Sequence, residues 1–225
     1  MFKYELHCHT SVGSACGTSS PEEQVDFYKS LGYTGIFITD HFFNGNCAVD
    51  RSLAWEEKVE IFYSAYEQAL KRGKEIGLYV FFGIEFNHKG AEFLVYGLNK
   101  EWLLAHPDCD KYSVKEFCNK AHESGAFIAQ AHPFREASYL KSINLYPRDV
   151  DAIEVLNAAN QDLANRMADI YANEYELMKI AGSDNHNAKT KKKLAAVLLY
   201  EEASDSHSFT EILKKGNYEI ETITL

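Results

Sequence analysis

Five short apolar runs in this sequence give way to histidine, aspartate or glutamate, the residue types that ligate divalent cations. His7 and His9 close the first run, Asp40 and His41 follow GIFIT, and Glu85 follows VFFGI. His132 follows AFIAQA, and Asp184 and His186 follow KIAGS. At i and i+2 of an extended chain, two side chains leave the same face, so His7 and His9 form one pair and Asp184 and His186 another. Cys8 then points the other way and packs. Each signal has an ordinary alternative taken singly: a chance H-x-H, an aspartate capping a turn, a glutamate in a salt bridge. Together they place charge at five strand ends, and burying that charge without partners is prohibitive. Metal binding is the reading that satisfies all of them.

The elements that position these residues alternate. Strands are expected at 2–8, 35–39, 78–84, 92–97, 126–131, 151–156, 178–182 and 195–200, with helices near 21–31, 54–76, 113–124, 161–175 and 208–215. Ser20-Pro21-Glu22-Glu23 reads as an N-cap with proline at the first helical position, and Gly32 ends that helix. Ser113 with Glu116 reads as a capping box, closed by Gly125. Continuous apolar strands separated by helices predict parallel βα units buried on both faces. Their number predicts a closed or nearly closed α/β barrel, with the donor residues at its carboxyl rim, where such folds carry their sites. The 92–97 run follows its predecessor too closely for a helix, so a hairpin is expected there.

The totals bound the function. A length of 225 residues with 46% apolar and 25% charged residues fits one globular domain over 1–225. Lys and Arg number 23 against 33 Asp and Glu, a net charge of −10, which disfavours long nucleic acid because backbone binding needs cationic neutralisation. A short oligonucleotide end still fits a metal-lined pocket. Five scattered cysteines without a C-x-x-C pair argue for a reducing compartment, and no apolar signal region or membrane-length stretch is present. A cytoplasmic protein with no membrane association is the expectation. Among the other histidines, His106, His122 and His207 read as surface or packing residues, and His88 lies near the site in sequence.

With these residues in hand, the chain resembles the PHP (polymerase and histidinol phosphatase) superfamily. The resemblance rests on ELHCHT at 5–10, TDH at 39–41, GIE at 83–85, AHP at 131–133 and GSDNH at 182–186, in the family's order. It implies a distorted (β/α)7 TIM-like barrel, two or three divalent ions (Zn, Mn or Fe) and phosphoester hydrolysis. Carried over by position, it makes His7, His9, Glu85 and Asp184 ligands of one ion. Glu85 then bridges to a second ion that also uses His132, and His41 and His186 hold a third. The chain departs from the pattern twice. After H-x-H it offers only Ser14 and Cys16, so Cys16 stands either as a thiolate ligand or as a free thiol. It also has Glu92 where members often have histidine, so Glu92 stands as an oxygen ligand of the second ion.

The chemistry expected is hydrolysis of a small phosphomonoester, histidinol-phosphate-like or nucleotide-like, by water activated between paired ions. Asp40 or Asp184 would assist proton transfer, and Arg135 would grip the phosphate with its planar fork. The lysine run at 191–193 reads as a solvated loop. The competing classes are an amidohydrolase and a non-catalytic metal-binding module. Amidohydrolases commonly bridge their metals through a carboxylated lysine at a mid-chain strand end, where this chain has Glu85.

Overall fold

The computed structural model describes residues 1–225. The chain opens with β1 (Phe2–Glu5), α1 (Pro21–Ser30), β2 (Gly35–Ile38), α2 (Trp55–Ile76) and β3 (Tyr79–His88). It continues with β4 (Ala91–Tyr96), α3 (Lys100–Ala105), α4 (Val114–Glu123), β5 (Phe127–Ala131) and β6 (Ala152–Asn157). α5 (Asp162–Glu174), β7 (Met178–Gly182), β8 (Lys193–Leu199), α6 (Ser206–Lys214) and β9 (Tyr218–Thr224) complete the order.

Local chemistry sets several boundaries. Ser20 and Glu23 form a reciprocal capping box with Pro21 at the start of α1, and Ser113 caps α4 by accepting from the Glu116 amide. β3 and β4 pair antiparallel from Gly83↔Tyr96 to His88↔Ala91, the expected hairpin. Its two-residue turn, Lys89-Gly90, has φ of 53° and 88°, matching the twist that two-residue hairpins require. Two elements carried no usable periodic signal. α3 has only six residues, and β9 is a largely exposed edge strand paired with β8 alone.

The strands form one sheet in the order β7-β6-β5-β4-β3-β2-β1-β8-β9. β1, β2, β3, β5, β6 and β7 run in one direction, while β4 and β8 run against them. The sheet curls until the ends of β1 and β7 meet. Asn185 lies beside Cys8, its amide donating to the His7 carbonyl at 3.3 Å and its carbonyl accepting from the His9 amide at 3.0 Å. The expected nearly closed α/β barrel is therefore present. The regular sevenfold alternation is not: no helix joins β3 to β4, β5 to β6 or β7 to β8. The β3–β4 hairpin replaces one helical crossover, because antiparallel neighbours need only a tight connection, and β8 enters the sheet antiparallel beside β1.

Alternation of side chains along the strands divides the core. Phe37 points into the barrel with Tyr4, Leu6, Phe81, Tyr96 and Phe127, whereas Ile36 and Ile38 face outward against α1 and α2. Phe209 of α6 closes the inner cluster. A third cluster fills the space outside β3–β6, under α2, α4 and α5.

Candidate metal centre

β1 stops at Glu5, short of the expected 2–8, because the Glu5 carboxylate takes the place of a ladder partner. It accepts from the amides of His7 at 2.9 Å and Ser183 at 2.8 Å. The alternation slips at this point. Leu6 joins the interior cluster, and Cys8, two residues on, packs outside. Both histidines that flank Cys8 turn inward, as their spacing requires.

The donors then converge. His7 Nε2 lies 3.2 Å from Glu85 Oε1 and 3.7 Å from Asp184 Oδ1. His9 Nε2 lies 3.3 Å from Asp184 Oδ1 and 3.5 Å from Glu85 Oε2. His41 Nδ1 sits 2.6 Å from Glu85 Oε2, and His132 Nε2 sits 3.1 Å from Glu85 Oε1. Glu85 is the hub of the arrangement. It lies inside β3, not at its end, because pairing with β4 extends that strand to His88. Glu92 approaches His132 at 3.6 Å and His41 at 3.8 Å. It reaches the same rim because β4 runs backwards, so its first residues lie where the parallel strands end. The His9 ring packs 4.1 Å from the His186 ring and 4.4 Å from the His41 ring.

Four sets of residues bring their donor atoms close enough to share an ion: His7/His9/Asp184, His7/Glu85/His132, His41/Glu85/Glu92 and His9/His41/His186. These sets overlap, and chemistry limits their simultaneous use. His7 Nδ1 is held by Glu154 Oε1 at 2.8 Å and His9 Nδ1 by Ser14 Oγ at 3.0 Å, which leaves each ring one free nitrogen. A ring with one outward lone pair serves one ion.

The residues fit cations on a simple test. His7 Nε2, His9 Nε2, His41 Nδ1 and Glu85 Oε2 are buried and have no aligned hydrogen-bond partner. Buried polar atoms are rarely left so, and a shared cation satisfies all four. The titration behaviour agrees. Burial opposes the charge on Glu85, yet His41 and His7 hold its carboxyl well below the usual range. Burial likewise opposes protonation of His41, but Glu85 and Cys16 bring it up to about 12. His7 is raised against its own burial by Glu154, Asp184 and Glu85. His9 is driven well below its ordinary value by burial, with His186 and His41 adding to the effect. Protons on His7 and His41 thus supply positive charge where the donor set is arranged for metal.

The remaining expected residues fall as follows. Cys16 is solvent-exposed at the edge of the His41/His186 group; partial burial opposes ionisation, but the two histidines bring its thiol down to about 6. Asp184 is lowered by His7 and Arg135 despite burial. Arg135 pairs through Nη2 with Asp184 Oδ2 and donates from Nε to Asn160 Oδ1 at 3.1 Å. Asp40 stands outside the four donor sets. Its oxygens accept from the Thr10 amide at 2.6 Å, the Thr10 hydroxyl at 2.7 Å and the Ser14 hydroxyl at 2.7 Å. His106 stacks on Trp102, His122 pairs with Asp151, His207 is exposed, and His88 ends β3 outside the donor sets. Lys191, expected as part of a solvated loop, is half-buried and donates to the carbonyls of Ser183 at 2.6 Å and Asp184 at 3.1 Å.

Glu154 and Glu5 went unnoticed in the sequence. Both are fully buried carboxylates; Glu154 was signalled by an acid inside the otherwise apolar run of β6, whereas Glu5, at the end of a strand that also holds Lys3, carried no such signal. Two of the five non-glycine residues with positive φ are donors of this set. His132 and Asp184 have φ of 27° and 51°, a region L residues seldom occupy and that costs about 1–3 kcal/mol each.

The PHP domain family profile matches residues 5–222 of the chain. The chain belongs to the PHP domain family. A search of curated proteins finds no match. Among solved structures, the chain resembles a two-domain protein of Bacteroides vulgatus containing a predicted PHP-like metal-dependent phosphoesterase (TM-score 0.74, 17% identity, 98% of this chain and 64% of that one). The chain thus spans less than two thirds of that protein's length. It also resembles an amidohydrolase of Chromobacterium violaceum with bound sulfate (TM-score 0.55, 12% identity, 81% of this chain and 87% of that one). A third neighbour is the lesion-specific endonuclease PfuEndoQ of Pyrococcus furiosus (TM-score 0.57, 16% identity, 97% of this chain and 57% of that one). No helix of this PHP-family chain is long and apolar enough to cross a membrane.

Proposed function

We propose that this chain is a metal-dependent phosphoesterase acting on a small phosphomonoester, with residues 1–225 forming one PHP-type catalytic domain. The observation that carries the reading is the group of four buried donor atoms on His7, His9, His41 and Glu85 that lack an aligned hydrogen-bond partner and crowd into one space at the barrel rim. His7, His9, Glu85, His132 and Asp184 would hold two divalent ions. Glu92, 3.6 Å from His132, would add an oxygen donor to the second, and His41 and His186, with Cys16 at their edge, would serve a third. Nitrogen and oxygen donors together suit Zn, Mn or Fe. Such ions, when bound, neutralise phosphoryl oxygens and make water nucleophilic near neutral pH.

The chain's own residues do the rest. Arg135 spends two of its five N–H groups on Asp184 and Asn160, and the others are available for phosphate oxygens. Asp184, with its carboxyl held low, suits ligation better than proton transfer, since a base far below the working pH accepts protons poorly. Asp40, with its oxygens taken by Thr10 and Ser14, serves to hold the 10–14 loop against the site. The five unpaired cysteines support a reducing compartment and therefore the cytoplasm.

The acidic balance supports a small ester over a nucleic-acid chain, although a neighbour of this fold is a lesion-specific endonuclease. The test is an activity screen of phosphomonoesters, short oligonucleotides and amides with elemental analysis of the purified protein. His7→Ala and Asp184→Ala should each abolish phosphatase activity and lower metal content. Wild-type activity that survives exhaustive chelation, or turnover of amides alone, overturns the reading.

A further inference from the structure

A cavity of about 230 Å³ lies beside the donor cluster. Its wall is apolar: Phe134, Ile143, Ala159, Leu163, Ala164 and Met167. Arg135 and Asn160 form a polar border, and Glu136 and Gln161 complete the lining. Two observations connect this cavity to the candidate centre. Arg135 and Ile143 also line a small cleft that reaches His132 and Glu92. Arg135 itself bridges the two regions, with Nε on Asn160 in the cavity wall and Nη2 on Asp184 in the donor set.

The lining is unusual for an exposed helix face. Leu163 and Met167, at i and i+4 on α5, are 57% and 41% exposed, where a surface helix ordinarily presents polar residues to water. An unbound apolar wall next to a phosphate-gripping arginine matches a substrate with a charged end and a greasy end.

We propose that this cavity receives the alcohol portion of the phosphomonoester, and that this portion is a compact apolar group the size of a single ring. The inference rests on the phosphoesterase reading and narrows its substrate class. Volume decides the size. A cavity of about 150 Å³ accommodates benzene, so a space of about 230 Å³ is filled by one ring with a short linker. The lining decides the polarity, because six of its ten residues are apolar, Leu163 and Met167 among them. In the reaction, a P–O bond forms to the oxygen of water as the P–O bond to the ring alcohol breaks. The departing alkoxide takes up a proton, the attacking water gives one up, and inorganic phosphate and a free alcohol result.

The experiment compares two phosphonates that cannot be hydrolysed, ethylphosphonate and cyclohexylmethylphosphonate, by calorimetric titration of the metal-loaded protein. Hydrolysis of the corresponding phosphate esters is measured in parallel. The ring compound should bind at least about tenfold more tightly, the scale on which an apolar pocket discriminates. Leu163→Gln and Met167→Gln, made separately, should each cut that ratio to about threefold or less. Equal binding of the two phosphonates by the wild type, or a ratio that neither variant changes, overturns the proposal. Equal kcat/KM for the two esters also removes the pocket while keeping the phosphoesterase. The expected phosphonate ratio without hydrolysis of any ester keeps the pocket and removes the phosphoesterase.

Discussion

Glu154 Oε1 holds Nδ1 of His7 at 2.8 Å, and Glu154 Oε2 accepts from the His132 amide at 3.0 Å and from Asn157 Nδ2 at 2.9 Å. One carboxylate therefore sets the orientation of two candidate ligands. Supporting carboxylates of this kind typically contribute a factor of about 10–100 in metal affinity. Glu154→Gln keeps the shape but removes the charge that turns His7 Nε2 inward. It should weaken metal binding by about that factor, read by competition with a coloured chelator, while the chelated protein melts within a few degrees of wild type. His122 offers a separate test, away from the site. Its imidazole pairs with Asp151 at 2.9 Å, and that contact raises its pKa. A raised histidine stabilises fully below its unfolded value of about 6.5 and loses that contribution as pH rises through the folded value. His122→Ala should lower Tm at pH 5.5 and have less effect at pH 9. The difference should be at most about 1 kcal/mol, because about a third of each side chain is open to solvent.

At the scale of elements, the approach of β7 to β1 decides whether the donors meet. A Cβ on Gly182 would lie 2.4 Å from His7 Cβ and 2.5 Å from Glu154 Oε1, closer than real contacts allow. Gly182→Ala must therefore push His7 off Glu154. It should cost about 1–3 kcal/mol by overpacking, seen as a lower Tm, and should reduce metal retention on gel filtration. Normal metal content in this variant would show that the spacing of the two strands is not critical. The β3–β4 hairpin matters in the same way. Its reversed strand carries Glu92 back to a rim that a helical crossover would have moved it away from. The hairpin was foreseeable from the short spacing between the two runs. The extension of β3 past Glu85 was not, because it depends on pairing with β4.

Considered as a whole, the molecule brings carboxylates and imidazoles from distant strands together at one rim. Despite burial, the pKa values of His7 and His41 are raised by the neighbouring carboxylates, and those of Glu85 and Asp184 are lowered by the neighbouring cationic groups. Metal must displace those imidazole protons. Binding should therefore release protons and tighten as pH rises, which titrations in two buffers of different ionisation enthalpy will register. A heat of binding independent of the buffer would count against histidine ligation. Metal should also raise Tm, since anything that binds only the folded state stabilises it by about 2.7 kcal/mol at a hundredfold excess over Kd.

The existence of the strands, the helix N-caps, the hairpin and the ligand-type residues were legible in the sequence by itself, because each is written in residues within a few positions of one another. The order of those motifs also carried the PHP resemblance, and with it the nearly closed barrel. Only the tertiary structure decided which donors share a space, that Asp40 is taken up by Thr10 and Ser14, and that Arg135 is bound to Asp184. It alone brought Glu154 to His7 across 147 residues and Ser183 to Glu5 across 178. Such pairings depend on how far the sheet curls and where its alternation slips, and no local pattern of residues encodes either.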